Sequence, residues 1–523
     1  MKPFDTNGAF APSDPEGRTL HRLAVRGAGI TVFSGAVGVA IQIVAAATLG
    51  RLLTPRDFGL VTMVTTVSLL LMNMAGNGFT DAVLQRKEIN HQLASNLFWG
   101  NVVVGAVLAL AFIAAGPVLA KFFGEAPVAS IATGMSAAIF LTNASWVHVA
   151  LAKRAMNFSS AALNEIVARA MGVSVSIFFG CLGWGYWSLV LGACTLALST
   201  LVGAFVLCRW IPGRPRWTAG TREMFKFAMH VSGRYTLNYF ASNTDNVLVG
   251  WRFGAHALGF YKKAYDLFAL SASQLVSATS NVAVSTLRRV KDDRERYIRN
   301  LLAAIGVMAF VGMGIAGNLT LAGPDLIRIL LGPGWDETGR IFVYFAPGIG
   351  MMMIYGTHGW IHVSIGRPDR WFLWTTVEWS VTILLFVAGL HFGPEGVAVA
   401  WCVSFWILAV PGLWYAGKPI GLGIAPVLSI VWRYVAASLL AILATSLMLH
   451  RFDALWRIRA FSGSVLRLAT ISVCFAVLYL GGVVLLHGGT SPLRKMTRLL
   501  REMMPSRTAG TPEDAILEKA VMQ

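Results

Sequence analysis

Apolar residues form long runs along this chain, and polar residues gather in the short breaks between them. A helix needs about 20 apolar residues to cross roughly 30 Å of hydrocarbon. Runs of that length recur over most of the sequence and predict an all-α polytopic membrane protein with about fourteen transmembrane helices. The predicted spans are residues 29–50, 58–78, 97–119, 128–150, 161–181, 186–208, 225–250, 258–284, 299–322, 341–364, 371–391, 394–416, 425–449 and 465–487.

The composition supports a membrane protein and argues against a soluble one. The 523 residues are 56% hydrophobic and only 13% charged, whereas soluble domains carry about 25% charged residues. The formal net charge of +18 would suggest nucleic-acid binding in a soluble protein. Here the basic residues occupy the breaks between spans, so we interpret them as determinants of membrane orientation and expect no nucleic-acid partner.

The positions of Lys and Arg predict which side of the membrane each break faces. With the N-terminus in the cytoplasm, inside segments carry roughly 26 basic residues and outside segments roughly 9. An even number of spans then places both termini in the cytoplasm. The stretch before Ile30 lacks an apolar core with a cleavage site, so we expect no cleaved signal peptide. The basic runs at 209–222 and 288–296 are interpreted as orienting and lipid-headgroup contacts.

Two segments about 200 residues apart repeat one another. The sequences LGRLLTPRDFGL from Leu49 and VGWRFGAHALGF from Val249 each place two glycines nine residues apart. The motif WVHV at 146–149 likewise returns as WIHV at 360–363. Six predicted spans separate the equivalent positions, so the halves have the same orientation and are related by an axis along the membrane normal. Rocking of two such lobes about a central cavity would give alternating access, which indicates a transporter.

The spans and the repeat together predict how the chain is organised. Two lobes of six helices are expected, followed by two additional helices. No break between spans exceeds about 20 residues, which leaves no room for a soluble catalytic domain. The predicted segments are a cytoplasmic N-terminal segment (1–28), an N-lobe (29–208), a basic cytoplasmic linker (209–224), a C-lobe (225–416), two additional helices (425–487) and a basic cytoplasmic tail (488–523).

The seventh predicted span carries a stripe of polar residues. A charged group at the bilayer centre costs at least about 2.5–3.5 kcal/mol, so such residues normally face protein or water. One interpretation is a cavity wall that holds an anionic or sugar-rich ligand; the other is a hydrogen-bonded seam that only joins helices. His230 lies on the same face of the helix. The predicted substrate contacts are Lys226, Arg234, Asn238, Asp245 and Arg252.

Three further intramembrane residues are candidates for energy coupling. Glu165 and Arg169 lie one helical turn apart in the fifth span, close enough to neutralise each other. Glu378 lies about as far after the WIHV motif at 360–363 as Glu165 lies after the WVHV motif at 146–149. The acids could take up and release a proton during transport, whereas the Glu165–Arg169 pair could also be purely structural.

Little in the sequence favours a metal site or an enzyme. His358 and His362 have a spacing suited to a metal, but no acidic residue accompanies them as in zinc hydrolases. No phosphate-binding loop or nucleophile motif occurs, so we predict no catalytic residue, no cofactor and no metal. The cysteines are interpreted as apolar packing residues; they are Cys181, Cys194, Cys208, Cys402 and Cys474.

Several of these segments resemble the oligosaccharide flippase family of the multidrug/oligosaccharidyl-lipid/polysaccharide exporter superfamily, nearest to its colanic-acid exporter type. The resemblance is carried by residues 50–59, 76–87 and 98–101 in the first half and 243–265 in the second. The chain departs from the family pattern at Trp251, where a basic residue is usual and Arg252 follows one place later. It departs again around Val284, where a proline is common.

The resemblance implies a function as well as a fold. It implies a flippase that moves undecaprenyl-diphosphate-linked oligosaccharides from the cytoplasmic to the periplasmic leaflet of the bacterial inner membrane, for exopolysaccharide or lipopolysaccharide biosynthesis. Membrane lipids, glycosyltransferases and a polysaccharide polymerase are the expected partners. The alternatives are a cation-coupled drug exporter, against which Lys226 and Arg234 argue, and a membrane-embedded polymerase, which would need a large periplasmic loop. The sequence also leaves open a non-transporting scaffold.

Overall fold

A computed structural model describes most of the chain, and within the described residues it is helical, with two isolated β-bridges and no strand. The described residues are 3–5, 8–10, 17–86, 89–216, 221–226, 228, 239, 242–450 and 461–494. The helices with both limits in this part are α1 (Gly17–Leu52), α2 (Pro55–Gln85), α3 (His91–Phe123), α4 (Pro127–Arg154), α5 (Phe158–Cys181), α6 (Tyr186–Cys208), α7 (Thr244–Arg289), α8 (Arg294–Leu331), α9 (Asp336–Tyr355), α10 (Thr357–Ser364), α11 (Pro368–Gly389), α12 (Gly393–Gly417), α13 (Ile424–His450) and α14 (Phe461–His487).

The helices match the predicted spans closely. Every predicted span other than 225–250, much of which lies outside the described residues, falls on one helix or on two consecutive helices. By length and composition, nine stretches of the described residues can cross a membrane, and one of them, 368–420, contains both α11 and α12. The all-α polytopic fold is therefore confirmed, and the number of fourteen crossings stays a prediction.

Local sequence determines where the helices bend and end. The predicted seventh and eighth spans meet inside α7, where Gly254 bends the chain with a φ of 80° that glycine adopts without strain. The span predicted at 341–364 is split at Gly356 into α9 and α10. The side chain of Asn90 accepts a hydrogen bond from the Leu93 backbone and caps α3, which Gly124 ends in the left-handed conformation.

The packing groups the helices along the chain. In the first half α4 packs against α2, α3 and α6, while α5 packs against α1 and α6. In the second half α9 packs against α7, α8 and α12, and α12 also packs against α11. Helices α13 and α14 pack on each other and on α8. The main contact between the two halves is that of α2 with α7, and α1 also touches α8.

A buried ion pair joins α14 to α8. The Nη2 atom of Arg467 lies 2.6 Å from the Asp325 carboxylate, and both side chains are about nine-tenths buried. Arg467 also donates to Ser464 at 3.0 Å. Further along α14 the Tyr479 hydroxyl donates to the backbone carbonyl of Phe310 at 2.6 Å. These bonds satisfy polar groups that hydrocarbon could not, so they hold α14 on α8.

Candidate functional site

The two repeated segments meet at the interface of α2 and α7. A Cβ atom added to Gly59 of α2 would overlap the backbone carbonyl of Ala255. A Cβ atom added to Gly259 of α7 would overlap the backbone carbonyl of Pro55. In each repeat, the second glycine therefore lies directly against a backbone carbonyl of the other repeat. We call these four residues the glycine seam, and only glycine fits at its two close approaches.

The first glycine of each repeat makes a second reciprocal contact. A Cβ atom on Gly50 would lie 3.2 Å from the Cα atom of Leu331, the last residue of α8. A Cβ atom on Gly250 would lie 3.2 Å from the ring of Phe123, the last residue of α3. The duplicated glycines thus have duplicated roles, because each one admits a neighbour from the opposite half.

Polar contacts join the halves at the same end. The Trp335 indole donates to the Gly50 carbonyl at 2.7 Å, and Arg51 donates through Nη2 to the Ile329 carbonyl at 2.9 Å. The ammonium group of Lys263 lies 3.9 Å from the ring centre of Phe58 across the seam. The positive-charge count predicts that this end is periplasmic. The described structure therefore holds its halves together at that end.

The first-half side of the seam is held by polar contacts around the start of α2. Thr54 and Asp57 form a capping box, in which Thr54 accepts from the Asp57 backbone and Asp57 accepts from the Thr54 backbone at 2.9 Å. Asp57 also accepts from the Tyr186 backbone at 3.0 Å. Arg56 bonds Glu125 at 2.9 Å, and this carboxylate raises the pKa of the Arg56 guanidinium. The start of α2 is therefore fixed to the turn between α3 and α4 and to the first residue of α6.

The predicted substrate stripe is described only in part. Arg234 and Asn238, with His230, lie outside the described residues. Lys226 and Arg252 are described, and both are exposed. Arg252 lies two residues before the bend at Gly254, at the same end of α7 as the glycine seam. Their assignment as substrate contacts stays a prediction.

Asp245 lies in the interior, so the expectation that it lines an open cavity is corrected. It is fully buried, and its Oδ2 atom accepts from the Tyr261 hydroxyl at 2.8 Å and from the Trp401 indole at 2.9 Å. These donors belong to α7 and α12, so the carboxylate joins the two helices. Helical spacing placed Asp245 on the face of the stripe, but it could not reveal that two large aromatic residues cover that position.

The Glu165–Arg169 pair forms as predicted and lies on the surface of the helix bundle. The two side chains are 2.7 Å apart and remain 58% and 45% exposed, respectively. Gly38 of α1 faces Arg169, because a Cβ atom there would lie 3.8 Å from its Nη1 atom. An exposed charged pair within a span is costly against hydrocarbon. We therefore infer that this face of α5 borders water.

Glu378 has a different environment from Glu165. It lies on α11 and is half-buried. One turn earlier on α11, the Trp374 indole donates to the Tyr355 hydroxyl of α9 at 2.7 Å. The repeat thus predicted two corresponding acids, and of the two only Glu165 is paired with an arginine in the described structure. A coupling role for Glu165, Arg169 and Glu378 stays a prediction.

The histidines in and near the WVHV and WIHV motifs are packed rather than arranged as ligands. His148 and His362 are both fully buried, and His358 stacks on Tyr355 with ring centres 4.4 Å apart. Among the described residues no group of three or more His, Cys, Asp or Glu side chains is placed to hold a metal ion.

Two contacts with structural consequences were missing from the sequence-based predictions. Asp325 and Arg467 are charged residues near the ends of two predicted spans, but nothing in their spacing links them across 142 positions. Trp335 lies between the predicted spans at 299–322 and 341–364, and nothing in the sequence indicated that its indole bonds to the Gly50 carbonyl. Residues this distant in sequence can be paired only from the fold itself.

Comparison with known proteins identifies the family. The profile described as "Polysaccharide biosynthesis protein" matches residues 48–340, more than half of the chain. The chain belongs to this family. The match includes both repeated segments and the glycine seam, and it confirms the resemblance to polysaccharide exporters.

Curated relatives extend the similarity over nearly the whole chain. The succinoglycan biosynthesis transport protein ExoT of Rhizobium meliloti (strain 1021) is 23% identical over 94% of this chain and 99% of its own length. The lipopolysaccharide biosynthesis protein WzxC of Escherichia coli (strain K12) is 20% identical over 61% of this chain and 65% of its own length.

Solved structures confirm the transporter fold. The lipid II flippase MurJ in an inward closed conformation matches with a TM-score of 0.69 and 13% identity, over 88% of this chain and 100% of that structure. A multidrug resistance MATE family transporter in an inward-facing conformation matches with a TM-score of 0.55 and 14% identity, over 73% and 94% of the two chains. The chain therefore has the fold shared by these two proteins.

Proposed function

We propose that this protein is a flippase that moves lipid-linked oligosaccharide repeat units from the cytoplasmic to the periplasmic leaflet of the bacterial inner membrane. The observation that carries the proposal is the fold of a lipid II flippase over 88% of the chain. A full-length relative named as a succinoglycan transport protein supports a polysaccharide precursor as the cargo. The proposed lipid carrier of the oligosaccharide is undecaprenyl diphosphate. Both termini of the protein are proposed to lie in the cytoplasm.

The geometry suggests how transport proceeds. The halves meet at the glycine seam and at the Trp335–Gly50 hydrogen bond, which close the predicted periplasmic end. Substrate would enter from the cytoplasmic side, and separation of the seam would release it to the periplasmic leaflet. The glycan would move through a water-filled path between the halves. The exposed Glu165–Arg169 pair supports such a path, because it indicates that one face of α5 is in contact with water. No covalent chemistry is needed, so the protein is proposed not to be an enzyme.

Cations are proposed to hold the diphosphate of the substrate. Lys226, Arg234 and Arg252 are the assigned contacts, with Asn238 as an additional hydrogen-bond donor. Glycosyltransferases that make the precursor and a polymerase that consumes it are the proposed functional neighbours.

Transport in proteoliposomes tests this function. The substrate is a polyprenyl-diphosphate-linked oligosaccharide with a fluorophore on the sugar, and a membrane-impermeant quencher reports which leaflet holds it. We expect transfer between leaflets with the wild type and none with empty vesicles. Gly59→Leu, which places a large side chain in the seam, should abolish transfer, whereas Gly481→Leu, at a site with no neighbour within 4 Å, should retain it. Wild-type transfer equal to that of empty vesicles would refute the proposal.

A further inference from the structure

The linker between the halves runs along the first turns of α3 without regular secondary structure of its own. These turns present hydrogen-bonding side chains on one helical face, at positions 91, 92, 95, 96 and 99. The Gly213 backbone N–H donates to Ser95 Oγ at 2.9 Å, and the Trp99 indole donates to the Gly213 carbonyl at 2.8 Å. Gln92 donates to the Arg214 carbonyl at 3.0 Å. Side chains of α3 therefore satisfy the backbone groups of the linker.

Asn96 makes the most extensive contact with the end of the linker. Its side chain accepts from the Arg216 backbone N–H at 3.0 Å and donates to the Arg216 carbonyl at 2.6 Å. One amide group thus satisfies both backbone groups of a residue, as a neighbouring strand would. Asn96 also donates to Thr221 Oγ1 at 3.1 Å. One turn further along α3, a Cβ atom on Gly100 would overlap the Phe225 ring, so the start of the seventh predicted span also packs on the first half.

Residues near the N-terminus cover the start of the linker. The His91 backbone N–H donates to the Gly8 carbonyl at 2.8 Å, which attaches these residues to the start of α3. Phe4 packs edge-on against the His91 ring with ring centres 5.7 Å apart, and its ring centre lies 5.8 Å from that of Trp210. Phe10 packs edge-on against Phe4 at 6.0 Å. Both phenylalanines therefore extend the apolar cluster in which Trp210 is buried.

Trp210 connects the linker, α3 and the N-terminal residues. Its side chain is buried, and its indole donates to His91 Nδ1 at 3.0 Å. Its carbonyl accepts from Nε2 of the buried His148 of α4 at 3.2 Å. A Cβ atom on Gly213 would lie only 2.9 Å from His91 Nε2, so the linker passes directly over the His91 ring. Because the same two rings contact all three segments, the loss of one segment should loosen the others.

We propose that residues 3–5 and 8–10 form a clasp that fastens the linker, residues 210–216, to α3 at the predicted cytoplasmic end. The linker connects the halves in sequence, where a free tether would be expected, but its contacts make it a rigid part of the first half. It therefore stays on α3 when the glycine seam opens. The clasp is a conformational device of the fold and does not depend on which substrate is transported.

Hydrogen–deuterium exchange of the full-length protein, measured by mass spectrometry, tests the clasp. The Gly213 and Arg216 amides donate to side chains of α3, so the linker peptide that contains them should be protected in the wild type. Asn96→Ala removes both bonds to Arg216 and should make exchange of this peptide roughly tenfold faster. Phe4→Ser/Phe10→Ser changes neither acceptor of these amides. It should still accelerate their exchange, because the clasp no longer covers the linker.

Two matched variants complete the test. Ala9→Ser changes an exposed side chain of the clasp and should leave linker exchange as in the wild type, and unchanged exchange in α9 checks that each variant keeps its fold. Gly59→Ala, which loosens the seam, should also leave the linker protected. Fast linker exchange in the wild type, or equal protection in the wild type and Phe4→Ser/Phe10→Ser, would overturn the proposal. Loss of protection in Gly59→Ala would show that the linker leaves α3 when the seam opens, and this too would overturn it.

Discussion

Replacement of the seam glycines should loosen the closed end of the protein. At Gly59 and Gly259 an added methyl group would meet the backbone carbonyl of the opposite half. A carbonyl in a helix cannot rotate away as a side-chain terminus does, so the helices themselves must separate. Overpacking of this kind typically costs about 1–3 kcal/mol. Because the cost falls on the closed arrangement, it should shift the population away from closure by roughly 5- to 150-fold.

A matched variant separates this effect from the helix-propensity gain. Alanine is more favourable than glycine inside a helix by up to about 1 kcal/mol, and Gly481→Ala reports that gain alone because no atom lies within 4 Å of its Cβ position. Spin labels at the exposed positions Lys121 and Asp336 lie on opposite halves at the seam end. Double electron–electron resonance would measure the distance between them for each variant.

The expected result is a longer distance for Gly59→Ala and Gly259→Ala, and an unchanged one for Gly481→Ala. The two seam variants should behave alike, because their contacts are reciprocal. Distance distributions and thermal stabilities that match those of Gly481→Ala in both seam variants would refute the reasoning. The seam would then be wide enough to accept a methyl group.

Four further predictions address other parts of the molecule. Asp325→Ala should destabilise the protein by about 3–5 kcal/mol, because it leaves Arg467 buried and unpaired; Asp325→Leu/Arg467→Leu should restore most of the loss in thermal unfolding. Single cysteines at Gly183 and Gly334 should react with impermeant reagents from the periplasm, and a cysteine at Arg214 should not; the reverse pattern would overturn the orientation. Glu165→Gln/Glu378→Gln should remove the pH dependence of transport, and an unchanged profile at normal protein levels would exclude both acids as proton carriers. Arg234→Ala should weaken substrate binding by roughly 1.5–3 kcal/mol and Arg234→Lys by less, with wild-type binding by Arg234→Ala as the contrary outcome.

The fold was predictable because hydrocarbon imposes a strong rule on sequence. Backbone groups have no water to bond in the bilayer, so spans must be helices of a fixed minimum length. The limits of α6 coincide with the predicted span at 186–208, and those of α12 differ from theirs by one residue at each end. The sequence predicted two separate spans, 225–250 and 258–284, where the structure has the continuous helix α7. The continuity was not predicted, because the bend at Gly254 interrupts helical φ and ψ without ending the helix.

The site was less predictable because the sequence shows which residues share one face of a helix, but not which other helix packs against that face. The repeat located four glycines, but their reciprocal contacts depend on how the helices of the two halves pack, α2 on α7 for two of them and α1 on α8 and α7 on α3 for the others. The spacing of Asp245 suggested a cavity wall, whereas Tyr261 and Trp401 enclose it. Glu165 and Arg169 were correctly paired because both belong to one helix, where separation in sequence determines separation in space.

The distribution of polar contacts explains how such a protein can be both firmly assembled and able to open. Arg467 and Asp325 join α14 to α8, two helices that belong to one packed group, and breaking that pair is expensive. At and around the glycine seam the described contacts between the halves are backbone approaches, the Lys263–Phe58 cation–π contact and two hydrogen bonds. Each hydrogen bond is worth only about 0.5–3 kcal/mol. A bound substrate can shift an equilibrium only by its difference in affinity for the two states, and moving from 1:99 to 99:1 takes about 5.5 kcal/mol. An interface that opens in every cycle must remain within that range, and close glycine contacts meet this requirement better than a buried ion pair would.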